Sequence, residues 1–415
     1  MQIQKSIFSF LPLLVALANS AAEAQETEAT TRLVAEPFVE PLAAEGGVRA
    51  VAAGAEHTCA ISQSGNVWCW GFNWQGQLGD GTDIDRVRPR RVVDLEGDFV
   101  AITAGVEHSC ALTAAGAVYC WGDNDAGQLG DGTTRDRWRP VQVVGMDGGV
   151  QAIVAGNYHT CAIADEGRVF CWGANHDGQI GVESIFLQLV PRRVRGLGRF
   201  NQAIAAGASH SCAIDRFGRI LCWGDNYFGQ LGDGTNEDRR SATVVSAMGT
   251  RNRAISASGH FTCAINRREA LFCWGANRSN QLLNGTGIGS NVPVNANLQR
   301  GVQAVTTGGN RFESYNAKGY VCVLDRNRAL FCWGLNNMGQ LGIGNDDDTT
   351  EPTRVDALGR DVRMVVGTMG GWHTCAVGRS GRLLCWGLNW HGQLGDGTEE
   401  LSTVPVRVLG GLHRR

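Results

Sequence analysis

Fourteen cysteines in seven pairs are the residues of this chain with the most evident chemistry. Each pair is separated by ten positions: Cys59 and Cys69, Cys110 and Cys120, Cys161 and Cys171, Cys212 and Cys222, Cys263 and Cys273, Cys322 and Cys332, Cys375 and Cys385. A histidine stands two residues before the first cysteine in five cases, namely His57, His108, His159, His210 and His373. His57, Cys59 and Cys69 together supply three zinc ligands on paper, so two chemistries compete. Structural zinc sites favour two cysteines only two to four residues apart. If a hairpin turn centres on Ser64, Cys59 lies opposite Cys69, and directly opposed residues of an antiparallel pair are close enough to bridge. Seven intra-repeat disulfides are therefore expected, with no metal.

Other candidate chemistry is thin. A histidine recurring five times at one position reads as structural, since a catalytic residue is normally singular. H-E-x-x-H, G-x-S-x-G, P-loop and EF-hand patterns are absent. The Gly-Asp-Gly-Thr tracts at Gly79–Thr82, Gly130–Thr133, Gly232–Thr235 and Gly395–Thr398 carry one carboxylate each, which suits a turn better than a calcium cage. No catalytic residue and no cofactor are assigned, and the protein is expected not to be an enzyme.

The elements that hold these residues repeat. Cys-Trp-Gly begins at Cys69, Cys120, Cys171, Cys222, Cys273, Cys332 and Cys385, at spacings of 51, 51, 51, 51, 59 and 53 residues. Such a period means units that bury their apolar faces against their neighbours. In the first unit the short apolar runs Val48–Ala53, His57–Ile61 and Val67–Trp70 alternate with Gly-rich turns, and Val92-Val93 follows Pro89. That pattern implies about four short strands per unit and no helical period. Radial closure removes most exposed strand edges. The expected fold is all-β, a seven-bladed β-propeller with repeats at about 48–98, 99–148, 149–199, 200–249, 250–300, 301–359 and 360–410. The tryptophan of each Cys-Trp-Gly is expected to pack against the next blade. The first and last strands are expected to share or adjoin one blade and so fasten the ring.

Met1–Ala24 has one Lys, an apolar run over Ile7–Ala18 and the triplet Ala22-Glu23-Ala24, the order of a secretory signal peptide. The run is too short to span a membrane. Residues 25–46 read as a disordered lead-in to a propeller over 47–410. Secretion or export to a periplasm is expected, with no membrane insertion after cleavage, and oxidising conditions favour the disulfides. Net charge is −3, so there is no overall basic excess to hold nucleic acid. The arginines after each G-Q-L-G, such as Arg88 and Arg137, alternate with acids and read as a solvated outer face.

G-x-x-H-T, W-G-x-N-x-x-G-Q-L-G and a following Pro-x-x-Val resemble the regulator of chromosome condensation repeat family. The resemblance covers all seven repeats. It implies a seven-bladed propeller whose end strands complete a shared blade. That family includes a nuclear exchange factor for a small GTPase, a plant UV-B photoreceptor and secreted bacterial inhibitors of β-lactamase. This chain departs from it at Phe261, which stands where the fifth histidine should be, and at the Gly309–Lys318 insertion in repeat six. It also departs at Gly178–Val182, which lacks the Asp-Gly-Thr. Exchange activity or another extracellular enzymatic role is thus disfavoured.

Binding residues are expected where the repeats differ. Ala55-Glu56 and Phe72–Trp74 leave the hairpin at the end opposite Ser62–Asn66. One loop face therefore gathers Trp74, Asp125, His176, Tyr227, Arg278, Asn337 and Trp390 with Tyr158, His260 and Trp372. Ring closure brings Trp390, Trp372 and Trp74 together. Aromatic anchors among polar residues suit an interface. The candidate partner-binding residues are Trp74, Trp390, Trp372, Tyr227, Tyr158, Phe72, His176, Arg311 and Phe312. The expected role is a monomeric protein-binding module, with a secreted enzyme inhibitor as the alternative.

Overall fold

The structure is a computed structural model, and it describes residues 47–310 and 317–409. The expected signal segment and lead-in lie outside these residues, as do Arg311 and Phe312. Val48–Ala53 (β1), His57–Ser62 (β2), Val67–Gly71 (β3) and Arg86–Arg91 (β4) form one antiparallel sheet in the order β1-β2-β3-β4. The six later sheets repeat this order over 99–142, 152–193, 203–244, 252–295, 302–354 and 362–407. Seven four-stranded blades result, one per repeat.

The strand composition explains the radial order. β1 to β3 are mostly buried, while β4, rich in Arg, is largely exposed or half-buried. The outermost strand thus carries the charge that an edge needs in order to resist pairing with another chain. Cys59 pairs directly across from Cys69, and the equivalent register holds in all seven hairpins. All seven expected disulfides are present, each with Cα atoms 4.1 Å apart.

The core is divided into seven wedges between blades. Cys59, Cys69, Ile61 and Leu78 of blade 1 meet Trp121 of blade 2, and Cys375, Cys385 and Leu394 of blade 7 meet Trp70 of blade 1. Each tryptophan therefore packs against the preceding blade, not the following one as the sequence led us to expect. Alternation along a strand puts Cys and Trp on opposite faces. Which face meets which neighbour depends on the sense of the ring, and the repeat period carries no such information.

Closure takes the second of the two expected forms, not the shared blade that the family resemblance implied. β1 is the inner strand of blade 1, and Ser402–Arg407 is the outer strand of blade 7. The terminal strands adjoin through neighbouring blades and share none. Blade 7 meets blade 1 through Trp70 Nε1 to Gln393 O (2.9 Å), His373 Nε2 to Thr58 Oγ1 (2.8 Å) and Gly397 N to Val87 O (3.0 Å). The Trp Nε1 to Gln O bond recurs at all seven junctions, so the ring closes by the rule that builds it. One addition breaks the symmetry. Met369–Gly370, ahead of the blade 7 hairpin, pairs in parallel with the inner strand Val302–Asn310 of blade 6.

Candidate functional site

The recurrent histidines form a buried belt. His57 Nε2 lies 2.9 Å from Ser109 Oγ of the next blade, and that hydroxyl donates to Gln77 O at 3.0 Å. A carbonyl only accepts, so Ser109 must accept from His57 Nε2–H, which fixes the tautomer. Trp121 Nε1 donates to the same Gln77 O at 2.8 Å. The Gly in G-x-x-H is explained by the ring: a Cβ on Gly54 would collide with His57. The five histidines are fully buried, and burial holds each down to about 3. They stay neutral at any ordinary pH and reach no substrate. Their chemistry is that of a fixed donor.

Repeat six has its own solution, which the insertion hid in the sequence. Tyr320 pairs with Gly334 as His57 pairs with Gly71. Its hydroxyl donates to His373 O at 2.9 Å and accepts from Thr374 Oγ1 at 2.9 Å. Blade 5 presents Phe261, and the residue facing it from blade 6 is Val321, where other blades carry Ser or Thr. One hydrogen-bonded junction has thus become apolar on both sides.

The loop between β3 and β4 is caged by the recurrent Asn. Asn73 is fully buried; its Nδ2 donates to Thr82 O (2.9 Å) and Ile84 O (3.1 Å), and its Oδ1 accepts from Leu78 N (2.9 Å). Asp80 of the Gly-Asp-Gly-Thr tract accepts from Thr82 N, Thr82 Oγ1 and Arg86 Nε. Burial alone would raise its pKa, but the Thr82 and Arg86 hydrogen bonds and the Arg86 charge outweigh it and hold Asp80 below the usual carboxylate range. Arg137 is likewise clamped on Asp131 through Nε and Nη2, at 2.8 and 2.7 Å. It is not the free surface charge that the sequence suggested, whereas Arg88 is exposed.

With the loop backbone fixed, the residue after Asn points outward. Trp74 is 74% exposed, Trp390 55% and Tyr227 67%, and His176 is exposed as well. Phe72 is half-buried at the junction of blades 7 and 1, its ring 4.7 Å from His391 and 6.3 Å from Trp74. His391 Nδ1 is 2.8 Å from Asp85 Oδ2, which ties the two blades together. Trp372 is half-buried in the adjoining loop. Tyr227 belongs to a second aromatic group with Phe228 and His260 at the blade 4 and 5 junction, with ring separations of 4.9 and 5.1 Å. Tyr158, exposed in blade 3, lies outside both groups.

Sequence reasoning missed His391, Asp85 and Trp138. Trp138 is exposed and would collide with a Cβ on Gly76, two residues beyond Trp74. A tryptophan inside the arginine-rich outer segment was the available signal. The loops are also acidic: Asp83, Asp125, Asp136, Asp346, Asp347 and Glu399 are exposed there, against Arg135 and Arg278. Asp123, Asp125 and Asp136 bring carboxylate oxygens within 4.8 Å of one another. Burial, with the neighbouring acids, pushes Asp123 up to about 6. Its two oxygens already accept from Asp125 N (3.0 Å) and Gln128 Nε2 (2.6 Å).

The propeller axis holds a cavity of about 80 Å³ lined by inner-strand residues such as Ala53, Thr103, Ala155, Ile204, Ser256, Thr307 and Val366. Among the described residues none that lines it is titratable. That space fits a few waters and offers no acid, base or nucleophile stronger than a hydroxyl. Also among the described residues, no helix is long and apolar enough to cross a membrane.

Residues 16–312 match the RCC1-like domain, and residues 329–377 and 380–414 match the regulator of chromosome condensation (RCC1) repeat. The ultraviolet-B receptor UVR8 of Arabidopsis thaliana is 32% identical over 84% of this chain and 78% of its own length. The human E3 ubiquitin-protein ligase HERC2 is 29% identical over 88% of this chain, which spans only 8% of that ligase. Yeast RCC1 (Prp20), solved bound to Kap60, superposes with a TM-score of 0.72 at 18% identity, covering 95% of this chain and 91% of that one. Human WBSCR16 superposes with a TM-score of 0.69 at 24% identity over 79% and 86% of the two chains.

Proposed function

The chain belongs to the regulator of chromosome condensation repeat family, and on that premise we propose that it is an exported, non-catalytic, monomeric propeller that binds a protein through its loop face. The observation that carries this reading is the blade 7 and 1 junction, where exposed Trp74 and Trp390 belong to the two loops joined by the Phe72–His391 contact. Large exposed aromatics gain little for folding, yet at an interface each can contribute about 2 kcal/mol or more. The cage of Asn73 and Asp80 holds the loops in place before binding, which lowers the ordering cost. The acidic rim suits a partner with a basic surface around an apolar centre. Protein binding by a relative, yeast Prp20 with Gsp1p and histones, is in keeping with this role. An inhibitor of an extracellular enzyme would use the same surface, with the enzyme as the partner.

The test is affinity capture from culture medium and periplasmic extract, with the wild type and the Trp74→Ala/Trp390→Ala double variant as parallel baits. A protein retained by the wild type and lost by the variant supports the reading. A catch common to both baits contradicts it.

A further inference from the structure

A net charge of −3 conceals a strong segregation. On the face opposite the aromatic loops, the hairpin turns of blades 4 to 7 each place an arginine at one repeat position: Arg216, Arg267, Arg326 and Arg379, all exposed. Blades 1 to 3 carry Gln63, Ala114 and Asp165 there. Arg251, Arg268, Arg360 and Arg382 are exposed in the same turns and in the linkers beside them. Most acids of these turns are spent internally, and Asp361 beside Arg360 is the exposed exception. Asp215 and Asp325 are buried, accepting from the turn backbone at Phe217 and Arg219 and at Asn327 and Ala329. Glu269 pairs with Arg326. Among the described residues Arg251, Arg268, Arg360, Arg379 and Arg382 have no ion pair. Farther in, Arg363 is buried with Nε and Nη1 unbonded, and burial plus the nearby Arg328 charge push it down to about 10.

Equivalent positions of a ring of repeats lie at one height along its axis. The four turn arginines therefore form an arc in a single plane, which fits a flat array of negative charge better than a groove-shaped ligand. The arc also carries an apolar tip: Phe217 is 54% exposed, with Arg216 4.5 Å and Arg219 5.2 Å above its ring. An exposed ring framed by guanidiniums matches the chemistry of a bilayer interface, where phosphates meet acyl chains. Arginine, with no lysine among these residues, suits bidentate phosphate contact.

We propose that the turn face of blades 4 to 7 docks peripherally on an anionic lipid bilayer, leaving the aromatic loop face pointing away from it. This rests on a different face from the protein-binding reading and stands independently of it. The test is co-sedimentation of the mature chain with vesicles of equimolar phosphatidylglycerol and phosphatidylcholine, and with phosphatidylcholine alone. The wild type should bind only the anionic vesicles and release them as salt rises. Removing four exposed charges (Arg216→Gln, Arg268→Gln, Arg379→Gln, Arg382→Gln) should weaken partitioning by roughly a hundredfold or more, at about fivefold per basic residue near an anionic surface. Phe217→Ser should weaken it by about tenfold with all charges intact. Its unchanged thermal transition would separate lost docking from lost folding. Failure of the wild type to bind anionic vesicles at low salt would overturn the proposal. So would duplex DNA or inorganic phosphate displacing the vesicles at low concentration, since the face would then be a general anion site.

Discussion

The inter-blade belt and the loop face are built from adjacent residues of the same motif, yet they obey opposite rules. In the belt one set of contacts recurs, His to Ser or Thr, and both Ser or Thr and Trp to the preceding Gln carbonyl. One residue beyond the buried Asn, the positions differ in every blade but two and are exposed. The propeller thus separates its tasks. Each histidine Nδ1 is buried without a partner, but its Nε2–H is matched to a Ser or Thr hydroxyl, and a buried donor that loses its acceptor is costly, so that pair is expected to change only together. The outward positions carry no such constraint and are open to selection for a partner.

Removing a belt tryptophan is the harshest way to break that contrast. Trp121→Ala should cost about 3–5 kcal/mol by chemical denaturation, from lost burial and the cavity left behind. A loss no larger than that of Trp74→Ala would erase the distinction between belt and face.

Acid attacks all five histidines together. Each is held near 3 in the folded protein against 6.5 unfolded. The unfolded chain therefore takes up more protons as pH falls below 6.5, and stability declines toward pH 3. Each histidine contributes up to about 1.4 kcal/mol per pH unit. Asp123, raised to about 6, pulls the other way by a single proton. Denaturation midpoints at pH 7, 5.5 and 4.5 should fall steeply, and a flat profile would refute the neutral belt.

The fifth junction sharpens the rule. Phe261→His would aim a buried N–H at Val321 and should cost about 1–3 kcal/mol. Adding Val321→Thr should recover most of it, because Gln281 O, which already accepts from Trp333 Nε1, can take the new hydroxyl. Absence of recovery would mean that the pairing is incidental. The smallest effect belongs to Arg88→Ala on the exposed outer strand, expected to change stability by less than about 1 kcal/mol.

Much of the belt was legible in the sequence because it is periodic. Blade number, the Cys59–Cys69 register and the structural role of His57 all follow from one motif repeated at fixed spacing. What the sequence did not disclose depends on the third dimension. The sense of the ring decides that Trp121 faces blade 1. Closure through separate blades depends on where the strand count begins within a repeat. Tyr320 holds the histidine's own register two residues before Cys322, but it was hidden because the insertion ahead of it breaks the G-x-x-H motif and the residue is not a histidine. On the loop face, periodicity located Trp74 and Trp390 but not His391, Asp85 or Trp138, whose contacts run between blades. The arc of turn arginines escaped notice because net charge averages over both faces.

The most direct test of the central claim is calorimetric titration of the captured partner into the wild type and into Trp74→Ala/Trp390→Ala, with thermal transitions measured on the same samples. Matching transitions and a loss of affinity of about 4 kcal/mol, roughly a thousandfold, are expected. Unchanged affinity in a normally folded double variant would contradict that claim and put the binding surface elsewhere.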